Sequence, residues 1–103
     1  MKLDRAGYSP SIIQEDTAYC YACGKRVGKF DRHEPFGGAY RGKSKALGLW
    51  IRLCNQPCHE GRTGAHGDAS VNAEYRREAQ RAAMEVYGWT VDDFIREFGK
   101  NYL

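Results

Sequence analysis

Leu47-Gly48-Leu49-Trp50-Ile51-Arg52-Leu53-Cys54-Asn55-Gln56-Pro57-Cys58-His59 reads as a strand running directly into a close cysteine pair. Leu49, Ile51 and Leu53 fall on one side of an alternating pattern, which is the period of a half-buried strand. Upstream, Cys20-Tyr21-Ala22-Cys23 is a second close pair, followed by Gly24. Two short-spaced pairs with a longer stretch between them have the layout of a four-thiolate zinc site. Gly24 gives the first pair the freedom to bend so that both sulfurs face one ion. The second pair is CxxxC, one residue longer than the first. A disulfide framework is the competing reading. It is disfavoured because Met1-Lys2-Leu3-Asp4-Arg5 has no apolar signal core, and the reducing cytoplasm expected for such a chain keeps thiols free.

The rest of the chain is organised around this segment. At 103 residues it fits one domain and excludes barrels and doubly wound sheets. A hydrophobic content of 42% with 28% charged residues is that of a globular chain, and no apolar run approaches a membrane span. Residues 1–19 form a mixed polar N-terminal arm with no firm secondary structure. Val27 to His33 reads as a weaker strand or hairpin. Gly37-Gly38 and Gly42 mark an irregular loop. From Ser70 to Tyr87, Val71, Tyr75, Ala79, Ala82, Ala83 and Val86 keep helical spacing, with Gly88 as the stop. Thr90 opens a second helix with Asp93 in a capping-box position, and Gly99 ends it. Val91, Phe94, Ile95 and Phe98 make its buried face, and Trp89, Phe94 and Phe98 read as core anchors. The fold class is α+β, with an irregular N-terminal part and C-terminal helices.

Charge is distributed unevenly. From Cys20 to His66 there are nine basic residues against Asp31, Glu34 and Glu60, a net +6; the remainder holds seven against ten. A concentrated basic segment is the footprint of a polyanion binder, so nucleic acid is the expected partner. All three histidines lie in the same segment. His59 follows the last cysteine, where a zinc knuckle would hold it still. His33 stands in Asp31-Arg32-His33-Glu34, with a carboxylate on either side able to orient an imidazole. His66 lies in Gly64-Ala65-His66-Gly67, a turn able to return it towards His59. At least two of the three are expected to share a catalytic ion.

Taken together, Cys20-x-x-Cys23, His33-Glu34 followed by Gly37-Gly38, the Gly48–Cys54 run leading to Cys58-His59, and Gly64-Ala65-His66 resemble the HNH endonuclease family. The likeness is closest to its small phage and prophage members, and Phe98-Gly99-Lys100-Asn101-Tyr102-Leu103 is similar to that group as well. The resemblance covers residues 20–103 and implies a zinc-stabilised ββα-metal core in a phage- or prophage-encoded protein of the bacterial cytoplasm. It implies metal-dependent hydrolysis of DNA phosphodiester bonds. Cys20, Cys23, Cys54 and Cys58 would hold structural zinc. His33, His59 and His66 would meet a second divalent ion: magnesium, manganese, nickel or zinc. Two registers of the family's first motif are open. One makes His33 a ligand and puts Glu34 at the base position; the other makes His33 the base, with Arg32 where a ligand is expected. Gly48 stands where the family usually has an asparagine. Arg32, Arg41, Lys43 and Arg62 are the candidate phosphate contacts. The alternative is a non-catalytic zinc-ribbon-like DNA-binding or adaptor protein, which has no reason to bring the histidines together.

Overall fold

A computed structural model of the chain describes residues 3–103; of the N-terminal arm, residues 1 and 2 lie outside the described residues. Strand β1 (Phe30–His33) pairs antiparallel with β2 (Ile51–Cys54), in a register that sets Arg32 opposite Arg52 and His33 opposite Ile51. Helix α1 (Arg41–Leu47) lies in the connection between them. Helices α2 (Ala69–Tyr87) and α3 (Val91–Phe98) complete a small α+β protein. Among the described residues, no helix is long and apolar enough to cross a membrane.

Two expectations for the middle of the chain are corrected. The irregular loop at residues 37–42 is a single turn at Gly38–Tyr40 leading into α1. Glycines open the turn, but Lys43, Lys45, Ala46 and Leu47 are good helix formers, and Ser44 Oγ donates to the Phe36 carbonyl at 2.7 Å. The strand also starts later than the alternation suggests. Leu47 ends α1, and Gly48 caps it in the left-handed region at φ 77°. A Cβ there would collide with the Pro10 carbonyl oxygen, so glycine is required on two counts.

The arm is part of the domain. Ser9 N donates to Lys45 O and Ile12 N to Gly48 O. Trp50 Nε1 donates to Ser9 O at 2.8 Å, and Arg52 N donates to Gln14 Oε1 at 2.9 Å. Tethered this way, the arm covers Trp50, which is 5% exposed.

The helical half follows its sequence pattern closely. Gly88 and Gly99 cap α2 and α3, and the Thr90–Asp93 capping box forms in both directions. Phe94 and Phe98 are buried with Phe36, Leu49, Ala79 and Ala83, and Trp89 packs against that cluster. One position differs: Val86 is exposed, and Gln80 takes the interior place. Its Nε2 donates to Asn101 Oδ1, and its Oε1 accepts from Tyr102 N, which ties the C-terminus down. A second cluster, built from Cys20, Ile51, Leu53, Cys54 and Ala65, underlies the cysteines.

Candidate metal centres

The two cysteine pairs converge, with the four thiol sulfurs within 4.8 Å of one another. Gly24 adopts φ 77°, and its amide closes the turn on Cys20 O at 2.8 Å. Of the second pair, Cys54 ends β2 and Cys58 lies in the irregular helical turn that follows, Asn55–His59, broken by extended backbone at Gln56. That break carries the extra residue of CxxxC. Adjacent thiolates on a tetrahedral zinc lie about 3.8 Å apart, given Zn–S of about 2.3 Å. Cys23 Sγ and Cys54 Sγ are 3.9 Å apart. Burial pushes the Cys20 thiol up, but backbone amides of Cys54, Cys23 and Ala22 outweigh it and bring the pKa down to about 7. Burial and the neighbouring thiols drive Cys58 the other way. Four crowded sulfurs cannot all ionise without a cation, and the donor set fits zinc.

The three histidines form a separate cluster, also with donor nitrogens within 4.8 Å. β1 supplies His33, the residue after Cys58 supplies His59, and the turn at 64–67 returns His66. Ala65 N donates to Cys58 O and His66 N to His59 O, so the turn is stitched to the cysteine-bearing segment. Ring centroids are 5.2 Å apart for His33–His59 and 4.6 Å for His59–His66. Gly64 is needed because a Cβ there would strike the carbonyls of Pro57 and Cys58.

Hydrogen bonds fix the tautomers. Asp31 is held below the usual carboxylate range, first by Asn55 and then by His59, so it accepts. His59 Nδ1 therefore donates to Asp31 Oδ2 at 2.9 Å, and Nε2 keeps its lone pair. His33 Nε2 lies 2.7 Å from Asn72 Oδ1, an acceptor, which leaves the lone pair on Nδ1. Burial first, and then the neighbouring His59 and His66, push His33 down to about 4, while Asn72 pulls the other way. His66 Nε2 and His59 Nε2 face each other at 3.0 Å. Adjacent nitrogens on an ion at about 2.0–2.1 Å are about 2.9–3.4 Å apart, so this spacing fits two ligands of one cation.

The histidines open into a cleft of about 240 Å³, lined also by Arg32, Glu34 and Arg41. Glu34 has both oxygens engaged, Oε1 by Arg41 Nε at 2.6 Å and Oε2 by Tyr8 Oη at 2.9 Å. Neither acid flanking His33 in sequence bonds to it: Asp31 reaches His59, and Glu34 orients Arg41. Asn72, on the first turns of α2, does so instead. No sequence signal marks it, because its role depends on α2 packing across β1, 39 residues away. Of the four basic candidates, Arg32 and Arg41 line the cleft. Lys43 is directed to Glu97 on α3, and Arg62 is exposed outside the lining.

Comparison of the chain with protein-family models, curated proteins and solved structures finds no match. What the described geometry defines is an α+β protein with a four-cysteine cluster able to bind a metal ion such as zinc. Beside it stands a distinct three-histidine cluster at an arginine-rimmed cleft.

Proposed function

We propose that the protein is a metal-dependent DNA endonuclease of the HNH, ββα-metal kind. The observation that carries this reading is the meeting of His33, His59 and His66 at one open cleft, apart from the four sulfurs. A structural zinc site is closed by its own ligands, whereas a catalytic centre keeps room for water and substrate. His59 and His66, through Nε2, would hold a divalent ion such as magnesium, manganese, nickel or zinc. Such an ion supplies positive charge to the phosphoryl transition state and to the leaving 3′ oxygen.

The chain's own groups have distinct parts in this reaction. With both Glu34 oxygens occupied, His33 is the favoured base: Asn72 orients it, and its Nδ1 lone pair takes the proton of the attacking water. Asp31 fixes the His59 tautomer so that Nε2 is free to ligate. Arg41, aimed by Glu34, and Arg32 at the rim bind the scissile phosphate.

Plasmid nicking in the presence of each divalent ion tests this, with His33→Ala and His59→Ala beside the wild type. We expect ion-dependent nicking that His33→Ala lowers by about 10²–10⁴-fold and His59→Ala abolishes, with zinc content at the cysteines unchanged. DNA binding without nicking under any ion, or equal nicking by His59→Ala, would favour the adaptor reading.

A further inference from the structure

Glu34 sits at the edge of the histidine cleft with 5% of its side chain exposed, and its two oxygens are divided between two elements. Oε1 accepts from Arg41 Nε on α1, and Oε2 accepts from Tyr8 Oη on the N-terminal arm. Arg41, by contrast, is 63% exposed and lines the cleft. The ion pair is lopsided. An arginine and a carboxylate with all their atoms available commonly close as a two-point fork. This pair uses Arg41 Nε and a single carboxylate oxygen, because Tyr8 holds the other.

The arm fixes Tyr8 firmly. The residue is 7% exposed; its N donates to Asp4 Oδ1 at 2.9 Å, and Asp4 N donates to its carbonyl at 2.8 Å. The Arg32 guanidinium lies 4.3 Å from the ring centroid, and the ammonium of Lys45, one turn after Arg41 on α1, lies 4.7 Å from it. The Trp50 ring meets it edge-on at 5.5 Å. Burial first, and then Glu34, push the Tyr8 hydroxyl up, so it stays protonated and donates. Without that hydroxyl, Oε2 is a buried acceptor with no donor, which is unfavourable. The donors that fit it are the Nη groups of the arginine already on Oε1. Taking them would close the fork and occupy the groups that a phosphate oxyanion needs.

We propose that the N-terminal arm is a working part of the cleft, with Tyr8 as a positioning residue: its hydroxyl holds Glu34 to a one-point contact with Arg41 and keeps the Arg41 Nη groups free for phosphate. That the phosphate belongs to DNA rests on the nuclease reading; the action of Tyr8 on Arg41 is testable without it.

The test is an NMR titration of the full chain with inorganic phosphate, without added divalent ions. The Gly37 amide, at the cleft, reports binding, and the Trp89 indole N–H, in the helical half, reports an intact fold. We expect Tyr8→Phe, which keeps the ring packing, to weaken phosphate by about three- to tenfold. In an Arg41→Ala background Tyr8→Phe should add nothing, whereas a purely structural role would cost as much with or without Arg41. Glu34→Gln added to Tyr8→Phe should restore the affinity, because an amide cannot close a fork on a guanidinium. Undiminished affinity in Tyr8→Phe, an equal loss in the Arg41→Ala background, no recovery with Glu34→Gln, or no Gly37 response in the wild type would overturn the proposal. The nuclease reading stands or falls separately, on plasmid nicking.

Discussion

Asp31→Asn isolates the link between the ribbon and the histidine centre. The substitution keeps the side chain's shape and removes its charge. Asp31 Oδ2 accepts from His59 Nδ1 at 2.9 Å and from Asn55 Nδ2 at 2.8 Å. Both bonds meet one oxygen, so an asparagine carbonyl oxygen in that place can still accept both. What His59 loses is the negative charge that raises the basicity of Nε2. Removing such a supporting carboxylate lowers metal affinity by about 10–100-fold, equivalent to about 1.4–2.7 kcal/mol. Calorimetric titration of manganese or nickel into protein with zinc-loaded cysteines measures this directly. Asp16→Asn is the control: it changes net charge equally, on an exposed side chain 3.9 Å from Arg26. We expect the loss in Asp31→Asn alone, with cysteine-bound zinc retained. Affinity within about twofold of wild type, or an equal loss in Asp16→Asn, would refute the assignment of Asp31 as the group that orients His59.

Cys20 is fully buried, and a structural zinc site contributes on the order of 10–16 kcal/mol in small zinc-finger peptides, as much as a domain's whole stability. Cys20→Ser should therefore give a zinc-free, poorly folded chain by metal analysis and circular dichroism; a well-folded, zinc-free product would contradict this. His33 has a folded pKa near 4 against an ordinary 6.5, so the unfolded chain binds the extra proton between those values. Stability should fall as pH drops through that window, by about 3 kcal/mol for this group, and urea unfolding at pH 7 and 4.5 should show less of that loss in His33→Gln than in wild type. Gly64→Ala drives a Cβ into the Pro57 and Cys58 carbonyls; it should destabilise by about 1–3 kcal/mol and weaken the histidine centre, and unchanged denaturation and ion affinity would show the turn tolerates it.

The features legible in the sequence are those written in local chemistry. Capping residues bound α2 and α3 because Gly88, Gly99, Thr90 and Asp93 act within a turn of themselves. The cysteine pairs and His59 were legible because close spacing marks each pair and sets His59 beside the last cysteine. α1 was hidden because its glycines signal a turn while the helix begins only after them. Gln80 and Val86 exchanged places because the partner of Gln80 is the C-terminal segment, which no helical periodicity encodes. The arm's contribution was invisible for the same reason: Tyr8 meets Glu34, and Ser9 meets Trp50, across long stretches of chain. At the histidine centre, residue types and neighbourhood were legible. Partner assignment was not, since strand alternation and α2 packing decide that Asp31 serves His59 and Asn72 serves His33.

The central claim is that the chain carries two chemically different metal centres, one closed by sulfur and one open at the histidines. Anomalous diffraction from crystals grown with zinc and soaked in manganese tests it most directly. The account predicts a zinc peak among Cys20, Cys23, Cys54 and Cys58, and a manganese peak about 2.2 Å from Nε2 of both His59 and His66, with His33 beside it. A zinc peak at the cysteines with no ion of either kind within coordination distance of His59 and His66 would contradict it.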